Sequence, residues 1–90
     1  MQFNHDEDAQ VFTTEVDGHI AHIDYHLSGD TAAFLHTIVP DAIGGRGIAG
    51  KLTEFALNTA KGKGWKVIPS CSYTAAYVAR HPEYNDLLAK

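Results

Sequence analysis

The first change of hydrophobic period along the chain falls within eight residues, IGGRGIAG at positions 43–50. Before them the runs at 10–16 and 19–27 alternate every second position. After them Ile48, Leu52, Phe55, Ala56 and Thr59 recur at i, i+4, i+7, i+8 and i+11. A period of two is that of a half-buried strand, and a period near 3.6 is that of a helix with one buried face. With 90 residues, 44% of them apolar, there is material for one core and not for two. The fold must therefore be a single α+β domain in which strands come first and the glycine loop opens a helix.

The strand half reads clearly. QVFTTEV (10–16) places Phe12, Thr14 and Val16 on one face, and Asp17-Gly18 is a strong hairpin signal. HIAHIDYHL (19–27) sets Ile20, His22, Asp24 and His26 against Ala21, Ile23, Tyr25 and Leu27. After the turn SGD, the run TAAFLHTIV (31–39) is apolar on both faces, which predicts a strand covered on two sides, ended by Pro40. These three form an antiparallel meander. Gly62 and Gly64 stop the helix, and WKVIP (65–69) is a fourth strand, parallel to the third through a right-handed crossover. Ser72 is placed to N-cap a last helix, YTAAYVAR (73–80), with Tyr73, Ala76, Tyr77 and Arg80 on one stripe. His81-Pro82 breaks it before a short turn through EYNDLLAK. The polar, acidic stretch MQFNHDEDA (1–9) is expected as a flexible N-terminal end, followed by one domain over 10–90.

Charge narrows the function. Seven Lys and Arg against eleven Asp and Glu give a formal net charge of −4, which argues against a nucleic-acid partner. A lone cysteine, Cys71, fits a reducing compartment. No apolar run of spanning length and no cationic, apolar leader is present, so no membrane partner is expected and the cytoplasm is the expected location. His22 and His26 lie about 13 Å apart along an extended strand, too far for one metal, and no metal site is expected.

The glycine loop admits several readings. Gly45-x-Gly47-x-x-Gly50 matches a dinucleotide fingerprint, but PDAI intervenes after the strand and no acid stands near residue 67. Gly45-x-x-x-x-Gly50-Lys51 approaches a Walker A loop, yet Leu52 stands where the magnesium-binding hydroxyl belongs. What both share is free backbone N–H groups at a helix N-terminus, a pocket for a diphosphate such as that of coenzyme A. The alternative is that the glycines only make a tight strand-to-helix connection.

The surroundings of the loop carry a resemblance. HTIVPDAIGGRGIAGKLTEFAL resembles the acetyl-CoA-binding segment of the GCN5-related N-acetyltransferase superfamily, where a strand ends in a VP step and a loop Arg/Gln-x-x-Gly-x-Gly/Ala opens a helix. Gly47 and Ala49 fill its last two places, whereas Gly44 departs from the usual Arg or Gln and Arg46 is offered as a substitute cation. The ordered set of a GD turn, HTIVP, the loop, GWKVIPSCSY and YVARHPEY is similar to the very small single-domain members, over about residues 10–88. The resemblance implies a truncated acyl-CoA N-acetyltransferase (GNAT-like) fold, acetyl-CoA or coenzyme A as cofactor, and an unidentified amine acceptor, either a small molecule or a protein lysine.

By the same resemblance the pantetheine arm lies between the parallel strands, with main-chain contacts from Ile38, Val39 and Ile43. The diphosphate faces the amides of Gly44, Gly45, Arg46, Gly47, Ile48, Ala49 and Gly50, with Lys51 in reach or merely solvated. Cys71 follows the fourth strand at a helix start, where the dipole favours a thiolate; it either takes the acetyl group or is a small buried residue. His36 is a base or a hydrogen-bonded core histidine. Tyr77 either protonates the departing thiolate or packs the core. Three functions compete: an acetyltransferase working directly or through Cys71, a non-catalytic coenzyme A-binding module acting as sensor or partner, and a structural domain whose glycines only turn the chain.

Overall fold

A computed structural model describes residues 1–89, so Lys90, the last residue of the EYNDLLAK stretch, lies outside the described residues. Five strands, β1 (Phe3–Asp6), β2 (Val11–Val16), β3 (His19–Ser28), β4 (Thr31–Ile38) and β5 (Lys66–Pro69), stand in sequence order in one sheet. The first four are antiparallel, and β5 runs parallel to β4. Asp17 and Gly18 both have positive φ, 51° and 79°, as the tightest hairpin turns demand. Helix α1 (Ile48–Gly62) makes the crossover from β4 to β5, and α2 (Ser72–Arg80) follows β5. Short 3₁₀ turns at Asp41–Ile43 and Pro82–Leu87 complete the described chain.

Both helices pack on the same face of the sheet: α1 against β2 to β5, α2 against β4 and β5, and the two against each other. Phe12, Ile23, Phe34 and Val67 from the strands meet Ile48, Leu52 and Ala56 of α1, all essentially buried. Removing a side chain such as Phe34 by substitution with Ala should cost about 3–5 kcal/mol, the range for emptying an aromatic site in a close-packed core. The buried face of α1 is wider than its periodic stripe, because Thr53, Leu57 and Ala60 are also enclosed. They are enclosed because α1 is flanked by α2 and the last 3₁₀ turn as well as by the sheet.

Three expectations are corrected. Residues 1–9 are not a loose end throughout, since Phe3–Asp6 add a fourth strand to the meander. Side chains on alternate positions hold it: Phe3 stacks on Phe55 at 5.0 Å, His5 on Phe12 at 4.2 Å, and His5 Nε2 is hydrogen-bonded to the Tyr25 hydroxyl at 2.6 Å. Second, β4 is covered on one side only. With both helices on one face, the other leaves Ile20 57%, Leu35 37%, Ile38 50% and Ile68 43% exposed. Third, Ser72 is the first residue of α2 and Cys71 is its N-cap. No helix among the described residues is long and apolar enough to cross a membrane.

Candidate functional site

The glycine loop is built by turns that use up backbone donors and then stop doing so. The amide of Ile43 donates to Pro40 O at 3.0 Å and that of Gly44 to Asp41 O at 3.1 Å. The next intramolecular bond comes from Lys51 N to Gly47 O at 3.2 Å. Among the described residues the six consecutive amides from Gly45 to Gly50 donate to no protein acceptor, and Gly47, the N-cap of α1, gives no side-chain cap. Gly45 and Gly47 have φ of +77° and +73°, which side chains resist, and a Cβ at either would meet nothing within 4 Å. Ile48, 2% exposed, anchors the loop from below while 44–47 stay exposed. Bare donors at the positive end of a fifteen-residue helix suit a diphosphate.

The cations divide. Lys51 is exposed in the first turn and has no ion-pair partner among the described residues. Arg46, offered above as the substitute cation, instead donates to Asp17 Oδ2 of the β2–β3 turn at 2.5 Å. Both partners are exposed, so the pair is weak and an anion competes with it readily. Ile43 is fully buried with its amide already committed, which makes it a packing anchor of the loop.

Next to the loop the sheet opens. Strands β4 and β5 pair from Thr31↔Lys66 to Phe34↔Pro69, and the Cys71 amide donates to Phe34 O at 2.8 Å. Beyond that rung, Leu35–Ile38 have no partner in β5, although β3 continues beside them through Asp24↔His36, Ile23↔Thr37 and His22↔Ile38. The register slips at this point, leaving Leu35 as an extra residue, and a bulge of this kind bends its strand. The result is an unpaired edge of about 13 Å for four extended residues, of the kind an extended ligand can pair with.

Cys71 stands where the strands part. Its Sγ is 3.4 Å from Thr37 Oγ1. Burial pushes its thiol up, but the Thr37 hydroxyl, the amides of Thr74 and Tyr73 and the Thr74 hydroxyl favour the thiolate and together hold the thiol below its ordinary range. Thr74 Oγ1 is fully buried and makes no hydrogen bond of ordinary geometry. A half-buried thiol with these donors has surroundings that favour thiolate character.

The remaining candidates separate. His36 is not a core histidine: it is exposed on the uncovered face, with Nδ1 3.1 Å from both carboxylate oxygens of Asp24. The bulge at Leu35 turns it outward. Tyr77 is 9% exposed and its ring stacks on His81 at 4.0 Å. Burial, helped by Tyr84, Glu54, Tyr73 and Glu83, raises its phenol, so it holds its proton tightly. A side chain the sequence reading left without a role comes closer to the loop: a methyl group on Gly50 would lie 3.4 Å from the Tyr73 hydroxyl. Its signal was the spacing of four between Tyr73 and Tyr77, which puts both on one face of α2.

Comparison with known proteins agrees with this geometry. The family model described as GCN5-related N-acetyl-transferase matches residues 11–87. The solution structure of a GCN5-like protein from Staphylococcus aureus superposes with a TM-score of 0.74 at 24% identity, covering 98% of this chain and 87% of that one, a likeness of fold. The chain therefore belongs to the GCN5-related N-acetyltransferase family.

Proposed function

We propose that the protein binds acetyl-CoA at the glycine loop and transfers the acetyl group to an amine. The observation that carries this reading is the run of six unpaired amides, Gly45 to Gly50, beside an unpaired strand edge. Those amides and Lys51 hold the diphosphate. The main chain of Ile38 and Val39 pairs with the pantetheine arm, and a backbone N–H of the unpaired edge nearer Cys71 polarises the thioester carbonyl. Cys71 lies at the far end of the same edge, where its thiolate can attack the carbonyl carbon. The bond from that carbon to the coenzyme A sulfur then breaks, and coenzyme A leaves as a thiolate that takes a proton from solvent. An amine then displaces the acetyl group from Cys71; direct attack by the amine on the bound thioester is the shorter route. A reducing cytoplasm, in which Cys71 stays a free thiol, suits this chemistry.

A second reading, a coenzyme A-binding module without an acceptor of its own, is favoured by the bare outer face of the sheet, where Ile20, Leu35, Ile38 and Ile68 stand exposed. Calorimetric titration with acetyl-CoA followed by intact-mass analysis separates the readings. Saturable binding, a raised melting temperature and a gain of one acetyl group that is lost in Cys71→Ala support transfer through the thiol. Binding with no acetylated protein and no acetylated amine supports the module. Absence of binding at millimolar ligand removes both.

A further inference from the structure

The gap between β4 and β5 opens to both faces of the sheet, and Cys71 and Thr37 occupy the helix-covered one. On the other face Leu35, Ile38 and Ile68 are 37%, 50% and 43% exposed, and one pair of titratable side chains among the described residues is joined there, Asp24 with His36. His36 belongs to the part of β4 that has lost its β5 partner, next in sequence to the Thr37 that touches Cys71. An ionised carboxylate can only accept, so the hydrogen it takes from His36 must sit on Nδ1, which leaves Nε2 a bare acceptor. The other titratable groups of this face are His22, opposite Ile38, His26, opposite Ala33, Glu15, opposite Ile20, and Asp6 at the far edge, opposite Val11. The Lys66 ammonium is committed to Asp86 O at 2.6 Å.

We infer that the amine acceptor enters from this uncovered face, that His36 Nε2 takes its proton, that Asp24 is the positioning residue for His36, and that the amine carries an apolar body resting on Leu35, Ile38 and Ile68. This rests on the acetyl-CoA reading above. The incoming ammonium gives one proton to Nε2, which passes it to water. The freed lone pair forms the bond to the thioester carbon, the carbon–sulfur bond breaks, and a second proton moves from the amine nitrogen to the departing coenzyme A thiolate. Asp24 stabilises the imidazolium while it exists and, being anionic, favours the approach of a cation. The exposed aliphatic side chains gain by being covered, which a polyamine cannot do as well as an alkylamine.

The test uses the intact protein in three measurements. Nitrogen-15 NMR of the free protein should show His36 protonated on Nδ1, and Asp24→Asn should relax that preference. With acetyl-CoA and hexylamine or spermidine as acceptors, hexylamine should have the higher kcat/KM. His36→Gln and Asp24→Asn should each lower kcat at least tenfold while the KM for acetyl-CoA stays unchanged, and Asp24→Glu should recover part of the loss. Both side chains are exposed, so melting temperatures should hold. An Nε2-protonated His36, wild-type kcat in both variants, or spermidine preferred over hexylamine overturns the inference while acetyl-CoA binding stands. Failure of the wild type to bind acetyl-CoA overturns the earlier reading and this one with it.

Discussion

The two helices begin in opposite ways. Each has a first turn of amides with no oxygen cap from its own N-cap side chain, Gly47 in α1 and Cys71 in α2. In α2 a thiol stands at the amides: burial pushes the Cys71 thiol up, but the Thr37 hydroxyl and the amides of Thr74 and Tyr73 favour its thiolate. In α1 the chain withholds one: Gly44, Gly45 and Gly47 place nothing over the amides, and Arg46 turns away to Asp17. The same donors and the same dipole thus tune a thiol at one helix and stay unpaired at the other. What differs is whether a side chain stands beside the amides.

The comparison breaks most sharply at Gly47. Valine there must adopt φ +73°, a left-handed conformation costing about 1–2 kcal/mol or more for a β-branched residue. Gly47→Val should lower the melting temperature and weaken acetyl-CoA binding at least tenfold in a calorimetric titration. Gly50→Ala, whose methyl group meets Tyr73 at an ordinary 3.4 Å, should change both little. Equal affinity in wild type and Gly47→Val would place the ligand elsewhere.

The α2 side is tested at its donors. Thr37→Val removes the hydroxyl 3.4 Å from Sγ, so alkylation of Cys71 by iodoacetamide at pH 7 should slow several-fold and its pH profile should move to higher pH. The sign for stability follows from the same shift. The folded thiol is lowered from 9.0, so its contribution is complete above that value and is lost as pH falls through the folded value. Cys71→Ala should therefore cost more stability at pH 9 than at pH 6 in denaturant melts; a pH-independent cost would argue that burial governs the thiol. A smaller effect than at Gly47 is expected at Gly44, whose φ of −67° and ψ of 159° suit any residue. Gly44→Gln offers the bare terminus a side-chain donor and should tighten acetyl-CoA binding a few-fold, whereas weakened binding would show that the loop surface must stay empty.

Much of this was legible in the residue order. Asp17-Gly18, the alternation of Phe12 and Ile23 into one face, the stripe of α1 and the glycine loop all depend on periods and turn preferences within a few residues. The strand β1 was not legible, because its polar residues are held by rings of Phe12, Tyr25 and Phe55 brought from elsewhere. Nor was the outward turn of His36, which follows from a bulge set by pairing with β3.

The sequence by itself determined where strands end and the helix begins, and that the join between them would be naked backbone, because glycine's freedom and the absence of a side chain are properties of single residues. Only the tertiary structure decided that both helices share one face, that Thr37 reaches Cys71, and that Asp24 of β3 meets His36 of β4 on the uncovered face. Those contacts join residues 12 to 34 positions apart, and their geometry is set by strand register and helix packing, which no local pattern of residues encodes.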